Sequence, residues 1–310
     1  MIKEINTGCS YFALNLQEGG QWMKLGLKSP FSNEAIDVIK GYDKSKDFFI
    51  SGCFFMFPFV NRSEYQNFQF QNSIYDFSNA KKDSNNFPIH GLICDTPRKI
   101  FEERSEDTTK INITSENPLD TNLYPLVVET YELSESKLTI TTMFKNTSLQ
   151  IQYFAFGYHP YFCLGDSVDD CYIETNLAMN YPLNEKLLPD NQSKPEKLSL
   201  QSSTNSLKGI SWDNTLAYDK KEMNPFLSII NKNKNLQLMI HAPKKFTKDS
   251  INYNFFQLYT PPDRKSIAVE PLSSTGNSFF YKKASLIKML PNETKTAVFG
   301  ITLNKYPTSK

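Results

Sequence analysis

The chain has 310 residues, 39% of them hydrophobic and 14% aromatic. A chain of that length buries about three quarters of its unfolded surface, and with this aromatic content wholesale disorder is excluded. Lys and Arg number 34 against 33 Asp and Glu, and the net charge of +1 excludes a nucleic-acid binder acting through bulk charge.

Along the chain, Met1 to Ser10 lacks a charged-then-apolar design, so no signal peptide is expected. Ser32 to Lys40 is the best short helical candidate. No segment sustains an apolar 3.6-residue stripe over three turns with caps at both ends. The most apolar stretch, Phe48 to Val60, is interrupted by Ser51, Gly52 and Pro58. It falls short of the ~20 residues that a membrane helix needs. Period-two alternation then takes over. Val127 to Glu132 and Lys137 to Phe144 flank a hairpin loop at 133–136, and Leu149 to Phe156 continues the style after a turn at 145–148. The stretch 190–208, rich in Asn, Ser and Lys, reads as a long loop. Leu227 to Ile230 and Leu236 to Ile240 form a second hairpin around 231–235. Asn254 to Thr260 and Lys265 to Glu270 flank 261–264, and Ala297 to Leu303 is a final strand. Short alternating runs divided by turn residues predict antiparallel sheets, in one large all-β domain over residues 1–310 with few short helices.

The Lys81-Lys82, Lys220-Lys221 and Lys244-Lys245 pairs read as solvated loop charges. Five cysteines, Cys9, Cys53, Cys94, Cys163 and Cys171, form an odd set without C-x-x-C spacing. That fits reduced thiols, and so a cytoplasmic protein, better than disulfides or a zinc site. No dinucleotide, P-loop, zincin or hydrolase-elbow motif is present, so neither metal nor cofactor is expected.

The chemistry-bearing residues are few. Three histidines occur, His90, His159 and His241. His90 lies in Phe-Pro-Ile-His-Gly (87–91) and His159 in Gly-Tyr-His-Pro-Tyr-Phe (157–162), both beside Gly or Pro where side chains emerge at a sheet rim. Taken alone, a histidine in such a place is more often structural than catalytic. His241, at a loop entrance, reads as structural. Glu270 ends the apolar strand 266–270 before Pro271, on the face of Ala268 and opposite Ile267 and Val269. It is either a rim salt bridge or a buried base, since burial raises a carboxyl pKa. Asp213, beside Trp212, is as readily a turn residue as a ligand contact. Arg62, after the run 58–61, either reaches a pocket or packs its stem on aromatics.

The order of these elements carries more than any one of them. His-Gly (90–91), Gly-x-His-Pro-Tyr-Phe (157–162), Trp-Asp (212–213) and Val-Glu-Pro (269–271), with Asn-Ser-Phe following at 277–279, resemble the aldose 1-epimerase (galactose mutarotase) family in its bacterial branch with a His-Pro-Tyr-Phe box. Pro58 to Arg62 is similar to the family's Asn-Arg element, and Leu290 to Thr294 with the strand after it to its closing turn. The resemblance runs from about position 50 to 303. It implies a galactose mutarotase-like β-supersandwich with an open sugar cleft. It also implies Glu270 as general base, His159 as general acid, His90 as a second active-site histidine, and Arg62 and Asp213 as substrate-binding residues. The base and acid are expected on opposite sides of one pyranose-sized hollow. The implied activity interconverts the α and β anomers of a free hexose, with no nucleic-acid or membrane partner, as a monomer or weak homodimer. A non-catalytic carbohydrate-binding protein on the same scaffold and a glycoside-active enzyme, with Glu270 and Asp213 as its carboxylate pair, stay open as alternatives. Two departures stand out. Asn292 replaces the usual Gly, and Asn tolerates the left-handed turn required there. Ile93-Cys94-Asp95 follow His90-Gly91 where many relatives carry Arg, and Asp95 would repel a phosphate.

Overall fold

A computed structural model describes residues 1–45, 47–104, 109–198, 205–218, 224–243 and 247–307. Among these residues the regular secondary structure is antiparallel sheet apart from one 3-10 turn at Val168–Asp170. A nine-stranded sheet runs in the order Asn205–Ser206, Tyr172–Thr175, Phe226–Asn231, Leu236–His241, Thr294–Lys305, Lys137–Lys145, Leu126–Ser134, Thr109–Ser115, Arg98–Arg104. The second large sheet runs Glu196–Lys197, Leu177–Tyr181, Asp213–Tyr218, Phe255–Tyr259, Ile267–Leu272, Gly157–Tyr158, Phe55–Met56, with Tyr161–Phe162 also paired to Ile267–Leu272. A four-stranded sheet of Ile2–Thr7, Ser10–Asn15, Gln21–Lys28 and Ala35–Asp37 packs against the nine-stranded sheet at Thr109–Ser115 and Leu126–Ser134.

The two large sheets face each other across aromatic and aliphatic side chains. Phe144 of the first lies 4.5 Å, centroid to centroid, from Phe156, and Tyr158 of the second lies 5.1 Å from Phe299 of the first. Alternation decides which residues enter this layer. Leu138, Ile140, Thr142 and Phe144 point in and are fully buried, and Phe256, Leu258, Ile267 and Val269 meet them from the other sheet. One continuous core runs from Ile5 to Leu303.

Most strand expectations hold with wider bounds. The hairpin around 133–136 narrows to a Glu135-Ser136 turn, with Ser134 opposite Lys137. The hairpin at 231–235 and the pairing of Phe255–Tyr259 with Ile267–Leu272 are as the sequence predicts. Three readings need correction. Ser32 to Lys40 is not helical: Ala35–Asp37 pairs with Gly26 to Lys28, and Ile39 bridges to Phe162. The available sheet edge outweighs a local helical preference too short to nucleate alone. The 190–208 stretch is not wholly loop, because Glu196–Lys197 and Asn205–Ser206 pair at sheet edges. Its residues 199–204 lie outside the described residues, as do Lys220-Lys221 and Lys244-Lys245. Lys81 and Lys82 are more than solvated charges. Lys81 pairs with Asp95 at 2.9 Å and Lys82 lines a cavity. The five cysteines are free, and no helix among the described residues is long and apolar enough to cross a membrane.

Candidate active site

The outer face of the second sheet is polar where its inner face is apolar. Direct cross-strand partners share a face. Glu270 stands opposite Gln257, and Gln257 opposite Thr215, while Ala268, Tyr259 and Asp213 form the neighbouring row. The odd-numbered neighbours Ile267 and Val269 enter the core, so Glu270 must look away from it. Gln257 Nε2 donates to Asp213 Oδ1 at 2.8 Å, and Thr215 Oγ1 donates to Gln257 Oε1 at 2.5 Å.

His159 arrives one residue after the strand Gly157–Tyr158. Gly157 is required there: a Cβ would lie 2.4 Å from Leu272 Cδ2 and 2.9 Å from the Pro271 carbonyl oxygen. The His159 amide donates to the Phe54 carbonyl at 3.1 Å, and the imidazole lies between the Phe54 ring at 4.7 Å and the stacked Tyr161 ring at 4.9 Å. The Tyr161 hydroxyl donates to the Phe49 carbonyl, which ties the 47–50 segment over the site.

His90 and Arg62 come from two chain segments that pair with each other. The amides of His90 and Ser63 donate to the carbonyls of Asn61 and Pro88, and Arg62 bridges to Ile89. His90 has a left-handed backbone, φ 62°, uncommon outside glycine. Gly91 follows at φ 84°, where a Cβ would lie 2.3 Å from the Phe57 carbonyl oxygen. The His90 ring stands 5.0 Å from the His159 ring at a near right angle, and its Nδ1 is 3.0 Å from the Met56 sulfur. Sulfur can only accept, so Nδ1 carries the proton and Nε2 is left as the acceptor of a neutral imidazole.

Together Glu270, His159, His90, Arg62 and Asp213 line a cavity of about 370 Å³, within the size of small-molecule sites. His159 Nε2 lies 3.1 Å from Glu270 Oε1. The two groups are therefore in direct contact, not on opposite sides of the hollow as the sequence reading has it. The cross-strand packing of Tyr161 against Ala268 of Ile267–Leu272 brings His159, two residues earlier and stacked on Tyr161, onto the same wall. Both groups are fully buried. Burial pushes the Glu270 carboxyl well up, the nearby Asp213 charge adds to this, and Arg62 opposes it. Burial pushes the His159 imidazole down. Burial pushes His90 well down, and the nearby His159 ring, which would repel it if both were protonated, and the Arg62 charge add to this. Asp213 is raised by burial against the pull of Arg62 and the Gln257 bond. The His159–Glu270 contact thus sets a carboxyl and an imidazole within hydrogen-bond distance where burial disfavours charge on both. Glu270 Oε2 and His159 Nδ1 are buried without protein partners.

The sequence reading missed Gln257, Asp47, Lys82 and Asp83 as lining residues. Register would have found Gln257 once Glu270 was placed. Asp95 does not line the cavity. It sits in the ion pair with Lys81, so it is no barrier to a phosphate there. His241 lies on its strand, 3.3 Å from the Thr302 hydroxyl. Asn292 has φ 63°, the left-handed turn expected of it.

Solved structures share this architecture. A galactose mutarotase-like protein from Clostridium acetobutylicum superposes with a TM-score of 0.78 at 18% identity, covering 98% of each chain. An aldose epimerase homologue from C. elegans gives 0.78 at 16% identity over 99% of each chain. A galactose 1-epimerase from Lactobacillus acidophilus gives 0.73 at 14% identity, again over 99% of each. At these identities the likeness establishes the fold, a galactose mutarotase-like sandwich. No curated protein matches the sequence. The aldose 1-epimerase family profile matches residues 4–305, so the chain belongs to the aldose 1-epimerase family.

Proposed function

We propose that the protein is a mutarotase that interconverts the α and β anomers of a free hexose through acid/base ring opening. The observation that carries this is the His159–Glu270 contact, a buried carboxyl and imidazole 3.1 Å apart on a cavity of sugar size. Glu270 takes the proton from the anomeric O1 hydroxyl. His159 gives a proton to the ring oxygen O5 as the C1–O5 bond breaks. The open aldehyde turns about C1–C2, and the same two groups return their protons as O5 attacks the other face.

The energetics suit one shared proton. Carboxylate plus imidazolium, and carboxyl plus imidazole, hold the same number of protons. The burial of both groups favours the uncharged pair, which is the form reached at the open-chain stage. The partnerless Glu270 Oε2 can accept O1–H, and that bond stabilises the carboxylate needed at the start. Each positioned acid or base contributes about 10²–10⁴-fold. Arg62 and Asp213 hold ring hydroxyls, and His90, with Nε2 free to accept, takes another. Reading the site as a pure binder leaves the contacting acid and base without a task. A glycoside-active enzyme keeps one supporting observation, Asp213 and Glu270 on a common cavity.

Polarimetry of freshly dissolved α-glucose and α-galactose tests the proposal. The protein should speed the approach to equilibrium, and Glu270→Gln and His159→Asn should each remove the effect. Unaltered rates in both folded variants, or no acceleration of any aldose by the intact protein, refute it.

A further inference from the structure

Arg62 does not stand free in the cavity. Its Nε donates to Asp83 Oδ2 at 2.5 Å, and Nη1 donates to Asn61 Oδ1 at 3.2 Å. The Asp83 and Arg62 side chains are only 6% and 15% exposed, so this pair is better shielded from solvent than a surface ion pair. The other oxygen of the same carboxylate, Oδ1, accepts the amides of Asn85 at 3.0 Å and Phe87 at 2.9 Å. These bonds close a tight turn through Asn86, φ 64°, and the chain then runs three residues to His90. One carboxylate therefore grips the guanidinium with one oxygen and the loop that delivers His90 with the other.

The charge of the lining points the same way. Among the described residues the cavity is bordered by the carboxyl groups of Asp47, Asp83, Asp213 and Glu270 against two cations, Arg62 and Lys82. Lys82 Nζ donates to Gln66 Oε1 at 3.2 Å. A phosphate reaching for Arg62 must compete with a carboxylate already bonded to it. A neutral sugar hydroxyl can accept from the remaining guanidinium N–H groups without displacing Asp83.

We propose that Asp83 is a positioning and specificity-determining residue. It fixes Arg62 and the His90 loop in one arrangement, and by occupying the guanidinium it makes the site accept an uncharged hexose and reject a phosphorylated one. This rests on the mutarotase reading above.

The test compares the intact protein with Asp83→Asn, which keeps an acceptor for the two turn amides and removes the charge. Mutarotation of glucose and of glucose 6-phosphate gives a ratio of kcat/KM values, and calorimetric titration with inorganic phosphate reads anion affinity without any turnover. The intact protein should favour the free sugar by about 100-fold. Asp83→Asn should narrow that ratio by about tenfold, the size of one charge-assisted contact, and bind phosphate about tenfold more tightly. A folded Asp83→Asn protein with an unchanged ratio and unchanged phosphate affinity overturns the proposal, as does an intact protein that handles both sugars equally. Should the variant not fold, the intact protein decides alone: phosphate binding tighter than about 1 mM overturns the idea and absence of binding supports it. If no aldose is turned over, the mutarotase reading fails, and the phosphate titrations still decide whether Asp83 excludes anions.

Discussion

Glu129 and Glu270 are both almost wholly buried, at 3% and 1% exposure, and burial pushes both carboxyls up. Their surroundings differ. Glu129 lies between the large sheets, where Oε1 accepts the Tyr131 hydroxyl at 2.8 Å and the Tyr158 hydroxyl at 3.2 Å, and Oε2 faces Arg98 Nε at 3.3 Å. Arg98 is attracted by charge, without the alignment of a hydrogen bond, and its cationic end lies 5.9 Å from the Phe55 ring centre. Those neighbours offset the rise. Glu270 has one protein partner, His159, a second oxygen with none, and a neighbouring Asp213 that lifts it further. Burial alone therefore does not mark a catalytic acid. What separates Glu270 from Glu129 is an unmet hydrogen-bonding capacity on a residue that lines a cavity.

The sharpest way to break this contrast is to remove each charge in turn. Glu270→Gln should lower kcat by about 10²–10⁴-fold while the denaturant midpoint stays near that of the intact protein. Glu129→Gln should do the opposite. It leaves the Arg98 guanidinium buried without a counter-charge and should cost about 3–5 kcal/mol in urea unfolding, with kcat of the folded fraction kept. If both variants lose activity and stability alike, the two sites are not distinct in kind.

A smaller effect separates them by pH. His90 is held well below its ordinary value, whereas the unfolded chain takes up that proton near pH 6.5. Its contribution is thus present above pH 6.5 and lost as pH falls, because the unfolded state then binds the extra proton. Relative to His90→Gln, the intact protein should lose about 1.4 kcal/mol per pH unit below 6.5. Parallel stability curves for the two proteins between pH 7 and 5 would contradict this. The smallest change expected is in Tyr158→Phe, which removes hydroxyl contacts to Glu129 and Thr142. It should cost about 1–2 kcal/mol in unfolding free energy and leave the mutarotation rate intact.

Much of the fold was legible because alternation is a local signal. Leu138 to Phe144 and Ile267 to Val269 announce their faces residue by residue. The N-terminal sheet was not, since Ala35–Asp37 is a strand only because Gly26 to Lys28 offers it an edge. In the site, His90, His159 and Glu270 stood out through scarcity and order along the chain. Asp83 and Gln257 did not, because Asp in a polar turn and Gln within a strand are ordinary, and only pairing across the sheet and loop gives them work. The contact between His159 and Glu270 was likewise invisible, being set by how Tyr161 packs on the strand of Glu270.

Tyr158 and His159 are consecutive, yet the first serves the interior network of Glu129 and the second serves the cavity. A one-position slip of this segment would exchange them, placing an imidazole among the core aromatics and a phenol beside Glu270. Misthreading here would spoil the core and the cavity wall in a single stroke, so the packing that closes the interior is also what sets His159 beside Glu270.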